Sequence, residues 1–162
     1  MEISEIIFRL LGAGVVGCVI GFNRDLHGKP TGIRTLGLLA MGAAGIVIGA
    51  HDLTGQVTTD PNVVSRVVQG VLTGIGFLGA GVIIHTPTQN RVRGLTTATC
   101  VWLTACIGLI FGTGNFRVVA VLVPMALLLL LFGGWVERRV HRAWTAPGGD
   151  TESSSDDDHG QP

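Results

Sequence analysis

Val67-Val68-Gln69-Gly70-Val71-Leu72-Thr73-Gly74-Ile75-Gly76-Phe77-Leu78-Gly79-Ala80-Gly81-Val82-Ile83-Ile84 is the stretch that decides the fold. It carries no charge, and its length suits a helix crossing a bilayer, which needs about 20 largely apolar residues. Glycine is costly in an isolated helix in water. In lipid it lets helix backbones approach and gain dispersion contacts that leucine against an acyl chain does not. Gly74 to Gly81 resembles a nucleotide-binding glycine loop only superficially, because no strand precedes it and it lies within an apolar run. Two readings remain: close packing at the centre of a helix bundle, or a locally unwound backbone that offers carbonyls to an ion or substrate.

Working outward, four more apolar runs appear: Ile6 to Phe22, Thr35 to Ala50, Leu95 to Phe111 and Val118 to Val136. In the 162-residue chain 47% of residues are hydrophobic and 14% charged, against roughly 25% charged in a soluble domain. These figures exclude a disordered protein, a nucleic-acid binder and an ordinary soluble enzyme. They favour an all-α integral membrane protein of five transmembrane helices. The first run opens with Glu2 and Glu5 rather than Lys or Arg and lacks a small-residue cleavage site, so it reads as a retained span and not a signal peptide. Glu5 and Arg9 are spaced to pair on one face of it. Asp60-Pro61 is an N-cap followed by proline, so the third helix is expected from Pro61 to about Ile84. Pro124 is expected to kink the fifth helix. The polar text from Thr145 onward has no apolar periodicity and reads as a disordered acidic tail. The expected organisation is therefore a membrane domain over 1–144 and a tail over 145–162.

The 11 basic and 11 acidic residues cancel, but the acids crowd the tail and the bases crowd particular loops. Arg24, Lys29 and Arg34 follow the first run, Arg91 and Arg93 precede the fourth, and Arg138, Arg139 and Arg142 follow the fifth. The positive-inside rule then places these segments in the cytoplasm, with the N-terminus outside and the C-terminus inside.

Glycines recur four apart in four of the five runs: Gly17/Gly21, Gly45/Gly49, Gly70/Gly74 and Gly108/Gly112. Such stripes suit close helix contacts, so Gly17, Gly21, Gly70, Gly74, Gly76, Gly79 and Gly81 are expected at packing positions in a tight, Gly-rich bundle. The fifth run has leucines from Leu127 to Leu131 instead, which suits a helix on the flank of a four-helix core.

Chemistry is sparse. No Asp or Glu occurs from Asp25 to Asp52, nor from Asp60 to Glu137, excluding those ends. Intramembrane carboxylates are the usual proton relays and cation ligands, and Mg²⁺ wants hard oxygen donors. A carboxylate-lined cation path is thus unsupported. A carbonyl-lined pore stays open. The three cysteines form no Cys-x-x-Cys pair and read as small apolar side chains. No metal, cofactor or catalytic residue is expected. Arg66 falls in the first two turns of the third helix and is expected to pair with Asp52 or Asp60. The polar groups Arg24, Asp25 and Arg34, with Asn90 and Arg93, gather on the cytoplasmic side. They read either as interfacial anchors or as a docking surface for a partner or lipid. Thr96, Thr97 and Thr99 can bond back to carbonyls of their own helix.

Four stretches together resemble the MgtC/SapB family of bacterial inner-membrane proteins. They are Gly17-x-x-x-Gly21-x-x-Arg24-Asp25; Lys29-Pro30-Thr31-Gly32-Ile33-Arg34-Thr35; Asp60-Pro61 and Arg66 leading into Gly74-Ile75-Gly76-Phe77-Leu78-Gly79-Ala80-Gly81-Val82-Ile83; and Val92-Arg93-Gly94-Leu95-Thr96-Thr97-Ala98 with Trp102 and Gly108. The likeness runs in order over roughly residues 10 to 115. It implies a non-enzymatic, multi-pass protein of the bacterial inner membrane. Members are linked to growth at low Mg²⁺, survival within macrophages, and restraint of the F-type ATP synthase. The expected function is a regulator acting through membrane-protein contacts, in a lipid bilayer and with a homo-oligomer open. The alternative is a small ion transporter or channel with a glycine-lined path. Members commonly have Arg-Glu where this chain has Arg24-Asp25. Virulence-associated members carry a soluble C-terminal domain, whereas here an acidic tail follows, so regulation through such a domain is not expected.

Overall fold

The computed structural model describes residues 1–57, 62–86 and 91–144. Five helices follow one another: α1 (Ile3–Leu26), α2 (Ile33–Val57), α3 (Asn62–Val82), α4 (Leu95–Thr113) and α5 (Phe116–Trp144). Each contains a segment long and apolar enough to cross a membrane. The chain is a multi-pass membrane protein. The helices outrun the apolar runs at several ends because polar flanks keep bonding in the helix where the hydrocarbon stops. α5 runs unbroken through Pro124. Asp60-Pro61, Asn90 and the tail from Thr145 lie outside the described residues.

The α3–α4 connection, a loop by its sequence, contains two short strands. Strand β1 (Ile84–Thr86) pairs antiparallel with β2 (Arg91–Arg93), Ile84 opposite Arg93 and Thr86 opposite Arg91. Gly94 follows at φ 93°, and a Cβ there would collide with the Val82 carbonyl oxygen. Glycine alone accepts both that backbone angle and that approach. It folds the end of the hairpin onto the end of α3 and starts α4.

The core is built mainly from α1, α2 and α4, and both α3 and α5 reach it. Ala13 and Ile20 of α1, Leu36, Ala40 and Ala44 of α2, and Val101, Ala105, Ile107 and Phe111 of α4 form one buried cluster, joined by Ile75 of α3 and Val119 of α5. The alanines let the three backbones come close, and branched side chains fill the remaining space, which is how helices gain packing contacts in lipid. α4 is the central element: 56% of its membrane segment is buried, against 11% for α3 and 11% for α5. α3 docks one side on the core through Ile75 and Gly79, with Val68, Val71 and Leu72 partly covered. α5 is fixed at its start, where the Phe116 ring meets Phe8 and Phe111 edge-on, at centroid distances of 5.6 and 5.4 Å. Beyond Val119 and Ala126 it presents Leu128, Leu129, Leu131 and Phe132 outward. α3 thus packs by one side against α2 and α4, and α5 lies at the flank.

Candidate functional site

The turn between α1 and α2 is organised by Arg24, which leaves the last turn of α1 and is 3% exposed. Its Nε donates to the Thr31 carbonyl oxygen and to Thr31 Oγ1, both at 3.2 Å. Its Nη2 donates to the Pro30 carbonyl and, across the bundle, to Thr97 Oγ1 in the first turn of α4, each at 2.7 Å. A buried guanidinium is costly unless its donors are met. Here neutral oxygens meet them, with charge-assisted bonds that are shorter and stronger than neutral ones. Thr31 sits at φ 66°, an unusual angle for a β-branched residue. It is held there by two bonds from one Nε.

Asp25, the next residue, does not pair with Arg24. Its carboxylate accepts the Ile33 N–H at 3.0 Å and packs onto Gly32. An acid at this place meets a free amide and the positive end of the α2 dipole. Arg24 and Asp25 together thus stitch the end of α1, the Pro30–Gly32 turn, and the starts of α2 and α4. This corrects the reading of Arg24 as part of an exposed docking surface. It also corrects Thr97: Thr99 Oγ1 does bond back to the Leu95 carbonyl at 2.9 Å, but the Thr97 hydroxyl accepts from Arg24.

The opposite end of α1 carries a second clamp. Arg9 Nη1 donates to the Gly112 carbonyl at 2.7 Å, at the far end of α4, while Nη2 bonds Glu5. The Glu5–Arg9 pair expected from spacing is present. Its reach to α4 is not something the sequence announces. Arg9 and Arg24 on α1 are spaced as Gly112 and Thr97 are on α4, about 22 Å at 1.5 Å per residue.

The glycines separate into two groups. A Cβ on Gly17 would strike the Leu36 carbonyl, and one on Gly21 would lie 2.6 Å from Ile33 Cα. One on Gly108 would strike the Ala40 carbonyl, and one on Gly112 would lie 2.7 Å from that of Ala44. These are the α1–α2 and α2–α4 contacts. Gly79 faces Ala98, 3.7 Å from its Cβ. Gly70, Gly74, Gly76 and Gly81 meet nothing within 4 Å among the described residues, so the expected packing role of these four within the bundle is corrected. Stepping around α3 at 3.6 residues per turn, Arg66, Gly70, Gly74, Phe77 and Gly81 share the face turned away from the core. Phe77 is 80% exposed.

Arg34 and Arg66 are exposed. Arg66 does not pair with Asp52, and Asp60 lies outside the described residues. Arg93 stands in β2. Among the described residues no group of three His, Cys, Asp or Glu side chains could hold a metal ion.

The MgtC family model matches residues 10–139. The chain belongs to the MgtC family. Among relatives, SrpB of Synechococcus elongatus is 44% identical over 117 residues, covering 68% of this chain and 64% of SrpB. YhiD of Escherichia coli K12, described there as a candidate magnesium transporter, is 40% identical over 133 residues, covering 78% of this chain and 60% of YhiD. MgtC of Salmonella typhimurium is 39% identical over 111 residues, covering 68% of this chain and 45% of that protein. The chain spans roughly half to two thirds of the length of these relatives. No solved structure matches it. The two arginine clamps and the bare α3 face are thus features of an MgtC-family membrane domain.

Proposed function

We propose that this MgtC-family protein is a non-enzymatic regulator that binds another membrane protein through the outward face of α3. The observation that carries the reading is the pairing of open glycines with an exposed ring. Gly70, Gly74 and Gly81 leave a flat backbone around Phe77, with none of the described residues against them. Glycine in a lipid-facing helix gains no packing and lowers helix propensity. Its use lies in admitting a second helix at close range. The F-type ATP synthase, implied by the family resemblance, is the partner to test. The polar inner cluster then serves to hold the bundle in shape, not to dock. Ion transport, which the description of YhiD suggests, would need a path between copies, since these glycines look outward from a single chain.

The orientation proposed with it is N-terminus outside and C-terminus in the cytoplasm of a bacterial inner membrane, on the distribution of Lys and Arg. Single cysteines replacing Thr58 and Gln89 in a Cys-free background should label from opposite sides. Labelling from one side would end that topology. For the regulator, Gly70→Leu and Gly74→Leu should fold normally, fail to support growth at low Mg²⁺, and no longer restrain ATP synthesis in inverted membrane vesicles. Wild-type behaviour of both variants in both assays would refute docking on α3. Mg²⁺ flux through purified protein in liposomes would favour transport.

A further inference from the structure

On the side of α1 away from α4 there is an apolar groove that the core does not use. It runs between α1 and α2, open on its outer side, with a volume of ≈ 730 Å³. Gly14, Cys18 and Gly37 form its floor; Val15, Phe22 and Leu38 are among its walls. The floor is low because the helices touch there: a Cβ on Gly37 would come within 2.7 Å of Cys18 Sγ, and one on Gly14 within 2.9 Å of Met41 Cε. The α1 lining spans Leu11 to Phe22, about 16 Å at 1.5 Å per residue. One charged residue lines this groove, Arg34, in the first turn of α2. Arg34 makes no hydrogen bond or ion pair with any described residue, and Asp25, the nearest acid in sequence, accepts the Ile33 N–H.

We propose that this groove is a binding site for one anionic phospholipid, its acyl chain lying between α1 and α2 and its phosphate held by Arg34. The shape admits a long, unbranched apolar chain. The open cation stands at one end of it, where a headgroup sits if α1 and α2 cross the bilayer. A guanidinium matches a phosphate with paired donors. The lipid belongs to the leaflet at the Arg24 end of the bundle. The inference needs only the bilayer, not the α3 partner, so either can fail without the other.

The test is native mass spectrometry of the full chain in detergent, titrated with phosphatidylglycerol and, separately, phosphatidylethanolamine. Wild-type protein should retain one phosphatidylglycerol in preference to phosphatidylethanolamine. Arg34→Gln should lower that retention about fivefold, the equivalent of about 1 kcal/mol for one basic side chain at a lipid surface. Arg34→Lys should keep most of it. Lys29→Gln, which removes a charge at the same end but off the groove, should change little. Val15→Trp, which places a large side chain on the exposed groove wall, should displace the lipid with Arg34 intact. Thermal unfolding in lipid-free detergent should be alike for all five proteins. Equal retention of both lipids by wild type would overturn the proposal. So would equal losses from Lys29→Gln and Arg34→Gln, which would mean general surface attraction. A dimer that survives added phosphatidylglycerol and is broken by Val15→Trp would give the groove to a second copy instead.

Discussion

α3 and α4 are neighbours of similar length, both uncharged over most of their run, both with a glycine pair at the same spacing. Yet α4 is sunk in the molecule and α3 lies along its edge. Gly108 and Gly112 receive the α2 backbone at Ala40 and Ala44, while Gly70 and Gly74 receive nothing from the described residues. The difference lies at the helix ends. α4 is gripped at its start by Arg24 and at its finish by Arg9, both side chains of α1. Neither of these arginines bonds α3, whose Thr73 spends its hydroxyl on the Gln69 carbonyl of its own helix at 2.8 Å. Glycine spacing thus marks where a helix can be approached. Polar clamps decide which helix is held.

The sharpest way to break the contrast is Gly108→Leu. The atom in the way is a backbone oxygen of α2, which cannot step aside as a side chain could, so α2 and α4 must part. Overpacking typically costs about 1–3 kcal/mol and occasionally more. This variant should stand at or beyond the upper end and fail to accumulate folded in the membrane. Next comes Arg24→Met. It strands the Thr97 hydroxyl and the Pro30 and Thr31 carbonyls, and hydrogen bonds to a charged group are worth about 1.5–3 kcal/mol each. A loss of about 3 kcal/mol should appear in thermal unfolding in detergent. Arg9→Gln should cost less, about 1 kcal/mol, because its Glu5 partner is half exposed and exposed pairs contribute little. Smallest are Gly70→Leu and Gly74→Leu, which should stay within about 0.5 kcal/mol of wild type in detergent, as surface substitutions do. If either α3 variant proves as damaging as Gly108→Leu, the contrast between the helices is wrong.

Five spans were legible because long apolar runs and flanking charges obey lipid physics without reference to neighbours. So was the Glu5–Arg9 pair, whose geometry is local to one helix. The rest required knowing which helices meet. Gly70-x-x-x-Gly74 and Gly108-x-x-x-Gly112 are the same word in the sequence, and nothing local separates the packed pair from the bare one. Arg24 reads as interfacial because a charge after an apolar run generally is. Its burial depends on oxygens six, seven and seventy-three residues away. The β1–β2 hairpin had a faint signal, β-branched residues on either side of Thr86-Pro87-Thr88-Gln89-Asn90, but strands of three residues carry too little alternation to declare themselves.

The matched spacing of the two α1 arginines has a consequence for biogenesis. α1 is synthesised first and α4 fourth, so Arg24 can engage the Pro30–Thr31 turn as soon as α2 begins, but its bond to Thr97 and the bond of Arg9 to Gly112 must wait for the fourth span. Until then one guanidinium has a hydrogen-bonding deficit at each rim of the membrane. α4 relieves both deficits in a single axial position, since sliding by one turn, about 5.4 Å, would break them together. α1 therefore acts as a gauge that accepts its late-arriving neighbour at one depth only.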